Sequence, residues 1–276
     1  MPRYDLHSHS TYSDGLLAPA AVVARAAARG VDVVALTDHD ETGGLSEARA
    51  AANDAGIAFI AGAELSVSWN GLTIHVVALR IDAGNTVLAD GLAAIRAGRT
   101  LRARRIGDAL GAAGIPDAYE GAMKFVTSER LVSRTHFARY LVESGHAGSV
   151  KEVFKRYLIR GKPGYVAHEW ALLGEAVGWI HAAGGQAVLA HPGRYKVSAD
   201  GMLRLLAAFR DAGGDAIEVL SPSHTRDQTA LFARHARAFG LLASCGSDYH
   251  GPGESWMDLG DLPELPAGVA PVWNTW

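Results

Sequence analysis

Short apolar segments of this 276-residue chain repeatedly end in histidine or carboxylate residues. The first segment gives His7-Ser8-His9, the second Thr37-Asp38-His39, and the third ends at Glu64. Side chains alternate along a strand, so His7 and His9 share one face. A single histidine beside a strand is most often structural. A pattern repeated at five or six separate segments instead predicts one shared site that all of them reach.

The segments between these strands have the periodicity of helices, with Pro19 at the start of one and Gly56 just beyond the end of another. We predict strands over Tyr4–His9, Val31–Thr37, Ile57–Glu64, Leu72–Leu79, Gln186–Ala190, Ala216–Leu220 and Leu241–Gly246. Asn70-Gly71 predicts a hairpin between the third and fourth strands. Alternation of this kind is typical of a parallel barrel or a doubly wound sheet. In a barrel the active site lies where the strands end.

The alternation is interrupted between about residues 116 and 165, where charged and aromatic residues increase and the periodicity is helical. We interpret this stretch as a small helical insertion that contributes to the substrate pocket. Residues 1–115 and 166–276 would then form the barrel.

The residues at the strand ends are of the types that bind transition metals. Converging carboxylates repel one another unless cations lie between them. A mixture of imidazoles and carboxylates suits manganese, iron or zinc, whereas calcium prefers oxygen ligands alone. The candidate ligands are His7, His9, Asp14, His39, Glu64, His75, His191, Asp248 and His250. Nine ligands exceed the needs of one ion, so we expect two or three divalent ions, with manganese as the first choice.

Charge and cysteine content restrict the environment and the partners of the chain. A formal net charge of −3 gives no basic surface for duplex DNA. The single cysteine, Cys245, allows no intramolecular disulfide, as in a reducing compartment. Neither an apolar signal segment nor a run long enough to cross a bilayer occurs. We therefore expect a cytoplasmic protein that acts without a membrane partner.

The motifs taken together resemble those of the polymerase and histidinol phosphatase (PHP) family. They are His7-x-His9, Thr37-Asp38-His39, Gly62-x-Glu64, His75, Ala190-His191-Pro192 and Gly246-Ser247-Asp248-x-His250. The resemblance implies an α/β fold, a distorted (β/α)7 barrel with a trinuclear metal centre. It further implies that Glu64 bridges two ions. The three sites would be completed by His7, His9 and Asp248, by Asp14, His39 and His250, and by His75 and His191.

The amidohydrolase superfamily is the main structural alternative, because it also begins with His-x-His on a first strand. Many of its members bridge two metals with a carboxylated lysine from a middle strand. This chain has no lysine before Lys124, and Glu64 occupies the bridging position. The comparison favours the PHP family.

Two further motifs resemble a subgroup of stand-alone PHP proteins. They are Ser133-Arg134-Thr135-His136-Phe137-Ala138 and Gly161-Lys162-Pro163-Gly164-Tyr165-Val166. Members of that subgroup hydrolyse nucleoside 3′,5′-bisphosphates, and some trim short RNA from its 5′ end. The resemblance implies removal of the 3′-phosphate to leave a 5′-monophosphate. The alternatives are a phosphatase for another monoester, such as histidinol phosphate, and an inactive accessory module.

Several residues outside the ligand set are candidates for substrate contact. Arg134 and His224 are expected to grip phosphate, since arginine offers a bidentate fork to phosphoryl oxygens. Arg194 and Tyr195 follow the His191 motif, and His136 follows Arg134 on the insertion. The candidate catalytic residues are Asp248, as a metal ligand that orients water, and His191 or His224, as the proton donor to the leaving oxygen.

Overall fold

The strands of the chain form a single sheet that curls into a nearly closed barrel. The computed structural model describes residues 2–126 and 131–276. The strands are β1 (Tyr4–Asp5), β2 (Val33–Leu36), β3 (Ala58–Trp69), β4 (Leu72–Leu79), β5 (Ala171–Leu172), β6 (Gln186–Leu189), β7 (Ala216–Leu220) and β8 (Leu242–Cys245). Their order around the barrel is β1-β2-β3-β4-β6-β7-β8, and the short β5 pairs with β3 outside this path. Seven strands on the barrel path confirm the predicted fold class.

The strands β3 and β4 form the hairpin that the sequence predicts. Asn70 and Gly71, both with positive φ, make the two-residue turn. Every other pairing along the barrel is parallel, but β4 runs antiparallel to both β3 and β6. The prediction that the third strand ends at Glu64 is wrong, because β3 continues to Trp69 and pairs with β4 along its extra length. Glu64 therefore lies inside a strand.

Backbone hydrogen bonds between the first and last strands bring the two edges of the sheet together. The Leu6 N–H donates to the Cys245 carbonyl at 3.0 Å, and the His9 N–H donates to the Tyr249 carbonyl at 2.8 Å. The regular part of β1 covers only Tyr4–Asp5 and is shorter than the predicted Tyr4–His9. An isolated bridge between Ser8 and Tyr249 continues the pairing there.

Helices pack around the outside of the barrel and form the insertion. They are α1 (Pro19–Ala28), α2 (Leu45–Ala55), α3 (Thr86–Ala112), α4 (Ala118–Met123), α5 (Arg134–Glu143), α6 (Val150–Val153), α7 (Leu173–Ala182), α8 (Ala199–Asp211) and α9 (Arg226–Phe239). A π-helical turn at Phe154–Leu158 follows α6 directly. The main core lies between the sheet and α1, α2, α7, α8 and α9. No helix in the described part of the chain is both long enough and apolar enough to cross a membrane.

The predicted insertion over residues 116–165 has a hydrophobic core of its own. Phe137, Leu141 and Val153 pack there against Ile106 and Leu110, which belong to the distal half of α3. The insertion thus packs on the distal half of α3, a long helix whose first turns pack against the barrel. Residues 127–130 of the predicted insertion lie outside the described residues, and its bounds stay a prediction.

Aromatic residues from the C-terminal segment cover the end of the barrel where the strands begin. Tyr4 stacks on Trp273 with 3.9 Å between ring centroids. The Trp276 indole N–H donates to the side-chain carbonyl of Gln186 at 2.6 Å. Both contacts lie at strand starts, so the opposite end of the barrel is left for the site.

Candidate metal centre and substrate cleft

All nine predicted metal ligands meet at the end of the barrel where the parallel strands finish. Three groups of side chains each bring ligand atoms within 4.8 Å of one another: His9, Asp14, His39 and His250; His7, His9 and Asp248; and His39, Glu64 and His75. His191 joins through its Nε2, which lies 2.9 Å from Glu64 Oε1. Ligand atoms around one ion with bonds of about 2.0–2.2 Å are separated by about 3–4 Å, so each group has the spacing of a metal site.

Glu64 lies at the centre of the cluster and uses its two oxygens on different sides. Oε1 lies 2.8 Å from His75 Nδ1 and 2.9 Å from His191 Nε2. Oε2 lies 2.9 Å from His39 Nδ1 and 3.3 Å from Nε2 of both His7 and His9. A carboxylate surrounded in this way has the geometry of a bridging ligand.

Asp248 and Asp14 each lie close to two histidines of the other two groups. Asp248 Oδ1 lies 3.3 Å from His9 Nε2 and 3.6 Å from His7 Nε2. Asp14 Oδ1 lies 3.4 Å from His250 Nε2 and 3.8 Å from His39 Nε2. These contacts are too long for strong hydrogen bonds and suit ligands that share a cation.

Several of these buried atoms form no well-aligned hydrogen bond with the described residues, even where they are close, as Glu64 Oε2 and His39 Nδ1 are. They include Asp14 Oδ1, Glu64 Oε2, His39 Nδ1 and His191 Nδ1. Burying such groups without partners is costly. Divalent ions would satisfy most of these atoms, so the residues present fit a metal centre.

The carboxylates of the cluster favour positive charge around them. Burial alone would raise the pKa of Asp14 and Glu64, but their histidine neighbours hold both pKa values well below the usual range. Burial lowers the pKa of His9 to about 3, and His250 adds to this effect. Against the effect of burial, Asp14 raises the pKa of His250 to about 9. Metal ligation requires anionic carboxylates and neutral imidazoles, so a bound cation would take the place of the proton on His250.

A second layer of carboxylates orients the ligands. The Glu218 carboxylate lies 2.7 Å from His7 Nδ1 and also accepts from the backbone N–H of His191. Asp38 accepts hydrogen bonds from Ser10 and from the Ser13 hydroxyl, which fixes the loop leading to Asp14. Such partners fix the tautomer and the direction of ligating histidines. Glu218 lies inside the predicted strand Ala216–Leu220, and the sequence pattern offers no reason to assign it this role.

The backbone at the site takes unusual conformations. His191 and Asp248 have φ of 27° and 48°, values that non-glycine residues rarely adopt. A Cβ on Gly246 would lie 2.2 Å from that of His7, so only glycine lets the end of β8 approach the first ligand. Such local strain persists where the surrounding structure holds it, as at functional sites.

A cleft of about 1120 Å³ opens from the metal ligands towards the insertion. Three of the arginines that line it come from the insertion side: Arg134 from α5, and Arg99 and Arg102 from α3. Burial lowers the pKa of Arg102 and Arg134, and mutual repulsion among the three lowers it further. Arg99 is held by Asp40 and by Ser66, whose hydroxyl accepts at 2.7 Å. Asp40 neutralises Arg99, but Arg102 and Arg134 form no ion pair with a carboxylate among the described residues, which indicates an anion-binding site.

Arg99 and Arg102 were not among the residues predicted from sequence. Together with Arg96 they repeat at intervals of three along α3, which places them near one face of a helix. That spacing is the signal that could have identified them. Their direction towards the cleft depends on how α3 packs, which the sequence pattern does not show.

Arg194 and Tyr195 line the same cleft beside the metal ligands. An Arg194 guanidinium N–H donates to Asp248 Oδ2 at 2.7 Å. The Tyr195 hydroxyl accepts from the backbone N–H of His75 and donates to the carbonyl of Ala190, each at 2.9 Å. Its polar end therefore joins β4 to the end of β6, and its ring remains at the cleft wall.

His136 and His224 are not among the described residues that line the cleft. His136 is buried, and its Nδ1 accepts from the backbone N–H of Ser133 at the start of α5. His224 Nδ1 lies 3.1 Å from the Val219 carbonyl, and its Nε2 accepts from the Gly193 N–H at 3.1 Å. Both ring nitrogens of His224 are thus engaged within the fold. The geometry does not support the predicted substrate contacts of these two histidines.

Comparison with known proteins places the chain in a family. The family model for the PHP domain matches residues 5–220. The chain belongs to the PHP family. A 3′,5′-nucleoside bisphosphate phosphatase from Chromobacterium violaceum is 52% identical to it over 274 residues, which cover 99% of this chain and 96% of that protein. A 5′-3′ exoribonuclease from Haemophilus influenzae is 45% identical over 272 residues, which cover 99% of this chain and 98% of that protein.

A solved structure agrees with the fold along its whole length. It is described as an amidohydrolase from Chromobacterium violaceum with bound sulfate and no metal. It matches with a TM-score of 0.96 and 52% identity, over 99% of this chain and 95% of that one. The PHP match confirms the family resemblance drawn from the motifs. In this PHP member Glu64, not a lysine, occupies the centre of the ligand cluster.

Proposed function

We propose that this PHP protein is a metal-dependent phosphoesterase that removes the 3′-phosphate of nucleoside 3′,5′-bisphosphates. The products are the 5′-monophosphate and inorganic phosphate. One observation carries the proposal: seven of the nine metal-ligand candidates line the same cleft as Arg99, Arg102 and Arg134. Such a cleft offers one centre for the phosphate being cleaved and another for a phosphate that is only bound. The names of the related phosphatase and exoribonuclease point the same way.

Two or three divalent ions, manganese above iron or zinc, are part of the proposal. His7, His9 and Asp248 would hold one ion, Asp14, His39 and His250 a second, and His75 and His191 a third, with Glu64 bridging. Bound divalent ions lower the pKa of water and offset the charge of phosphoryl oxygens. Glu218 and Asp38 fix the position of this centre, because Glu218 contacts the ligand His7 and Asp38 holds the loop that leads to Asp14.

The protein's own residues would orient the substrate. We assign Arg134, with Arg99 and Arg102, to the 5′-phosphate, since guanidinium groups bind phosphate oxygens in pairs. Arg194 lies beside Asp248 and would contact the 3′-phosphate. The ring of Tyr195 at the cleft wall remains our proposed contact for the base.

The proton transfers are assigned to residues at the cluster. Asp248 would orient the attacking water. His191 contacts Glu64 through Nε2, which favours a role as ligand, and its role as proton donor to the leaving oxygen stays a prediction. His224 is omitted from the catalytic set, because both of its ring nitrogens bond within the fold.

A comparison of three substrates tests the proposal. Adenosine 3′,5′-bisphosphate should be hydrolysed with higher kcat/KM than adenosine 3′-monophosphate or histidinol phosphate. Chromatography of the products should show adenosine 5′-monophosphate and phosphate. A clear preference for histidinol phosphate, or loss of the 5′-phosphate first, would contradict the assignment. An absence of hydrolysis with all three in the presence of manganese would instead favour an accessory module.

A further inference from the structure

We propose that Trp256 and Lys151 form a platform that binds the second nucleotide of short 5′-phosphorylated RNA. This inference rests on the proposed function and assigns residues to the short 5′-phosphorylated RNA that the subgroup resemblance implies as a further substrate. The two residues line the same cleft and come from different elements: Lys151 is in α6 of the insertion, and Trp256 follows β8 and the ligand His250.

Trp256 exposes a large aromatic surface at the cleft. It is 86% exposed, although it lines the same cleft as the metal ligands and the three arginines. An isolated exposed apolar residue needs no explanation. An exposed indole beside a phosphoesterase site differs, because successive bases of single-stranded nucleic acids stack on such rings in proteins that bind them.

Lys151 adds a positive charge next to this ring. Its Nζ lies 5.4 Å from the centre of the Trp256 ring, within the range of a cation–π interaction. The combination of an aromatic face with an adjacent cation matches a nucleotide, which has a flat base and a negative phosphate. Sequence-independent binding of this kind requires no hydrogen bonds to base edges.

The two residues just before Trp256 anchor the loop that carries it. The Ser255 hydroxyl accepts from the backbone N–H groups of His250 and Gly251, at 2.7 and 3.2 Å. Glu254 accepts two hydrogen bonds from Arg139 of α5, at 2.9 and 2.7 Å. The exposure of Trp256 is therefore a property of an anchored loop.

Arg139 also connects this loop to the metal centre. Besides Glu254, it donates to the carbonyl of the ligand Asp14 at 2.6 Å. The insertion, the Trp256 loop and the ligand loop thus share one buried guanidinium. A nucleotide held on Trp256 would be positioned relative to the metal ligands through this contact.

The cleft is larger than a typical small-molecule site. Its volume of about 1120 Å³ exceeds the upper end of the range for small-molecule sites, about 300–1000 Å³. Arg134, Phe154 and Lys151 of the insertion all line this cleft, and the Phe154 ring lies 5.6 Å from the Arg134 guanidinium carbon. Lys151 therefore supplies positive charge in the cleft in addition to the arginines assigned to the 5′-phosphate.

The chemistry is the same for a mononucleotide and for RNA. In a 5′-phosphorylated dinucleotide the phosphorus attached to the first 3′ oxygen also carries the second nucleoside. Water adds to this phosphorus, the bond to the 3′ oxygen breaks, and that oxygen takes a proton. The first nucleotide leaves as a 5′-monophosphate, and the remainder keeps a 5′-phosphate. The second base is the group that the platform would hold.

The test compares Trp256→Ala with the wild type on two substrates, adenosine 3′,5′-bisphosphate and the 5′-phosphorylated adenosine dinucleotide. Loss of one stacking contact should lower kcat/KM for the dinucleotide by about 5–150-fold. Activity on the bisphosphate should stay within about twofold of wild type, because that substrate has no second base. Trp256→Phe should recover most of the dinucleotide activity, since it keeps an aromatic face.

Lys151→Ala should also reduce dinucleotide activity selectively. Lys155→Ala is its matched control, since Lys155 is an exposed lysine of the same segment and is not among the described cleft residues. Equal losses on both substrates, or no loss on the dinucleotide, would overturn the inference. A wild-type enzyme that hydrolyses the bisphosphate but not the dinucleotide would overturn it and leave the proposed function intact. Failure on both substrates would reject the proposed function as well.

Discussion

At the scale of residues, Glu64 connects the whole ligand cluster. Its two oxygens contact five histidines that come from four separate segments of the chain. A lone buried carboxylate would be costly, and these neighbours explain why the pKa of Glu64 lies well below its usual range despite burial. The same position inside β3, not at a strand end, lets Glu64 face histidines on both sides.

Substrate binding in the cleft also depends on single residues, of which Arg134 is the first to test. If Arg134 binds the phosphate that is not cleaved, Arg134→Met should lower kcat/KM for adenosine 3′,5′-bisphosphate by about 10–150-fold, as expected for a lost charge-assisted contact. Adenosine 3′-monophosphate, which lacks that phosphate, should be much less affected. Steady-state kinetics on both substrates provides the measurement.

Arg104→Met is the matched control for this variant, because Arg104 is an exposed residue of α3 that is not among the described cleft residues. This variant should leave kcat/KM for both substrates unchanged. If Arg134→Met reduced activity on both substrates equally, the arginine would act on the reacting phosphate or on the fold, contrary to the assignment.

At the scale of elements, the sequence predicts the barrel well and the insertion less completely. The alternation of apolar segments and helices, and the Asn70-Gly71 turn, follow from local patterns that the structure reproduces. The length of β3 does not follow from local patterns, because the residues after Glu64 become a strand only through pairing with β4 and β5. Tertiary pairing overrides local pattern at this point.

The same distinction separates the metal ligands from the substrate residues. Ligands could be predicted because their chemical type recurs at strand ends, where the fold class brings them together. Arg99 and Arg102 could not be placed, because their role depends on the packing of α3 against the insertion. His136 and His224 were selected by motif and position, yet each satisfies a local backbone group instead.

Titration of His136 should make the free energy of unfolding depend on pH. Burial lowers its pKa to about 4, and its unprotonated Nδ1 accepts from Ser133 at the start of α5. The unfolded chain takes up a proton near pH 6.5, whereas the folded chain does so only near pH 4. The folded protein should therefore lose stability as the pH falls from 6.5 to about 4. Below that window the titration of His136 should cause no further loss.

The variant His136→Gln separates this titration from the cap. Glutamine at the same helical position accepts the Ser133 hydrogen bond but has no titratable group. Between pH 7.5 and 5, wild type should lose about 2 kcal/mol more of its free energy of unfolding than the variant. Urea unfolding of metal-free protein measures this difference, because metal binding has a pH dependence of its own. Parallel losses in the two proteins would show that His136 does not titrate as described.

At the scale of the whole molecule, the two ends of the barrel have different contents. Aromatic residues of the C-terminal segment cover the end where the strands begin. The ligands converge at the other end, and the insertion adds a wall of arginines above them. The architecture thus brings a dense set of histidines and carboxylates together beneath an anion site.

The metal content of the purified protein tests this account most directly. The chain should be produced in manganese-supplemented medium, freed of loosely bound ions by gel filtration, and analysed for transition metals against protein concentration. We predict two to three divalent ions per chain, because nine ligands form three groups joined by Glu64. A reproducible content below one ion per chain would contradict the assignment of this cluster as a metal centre.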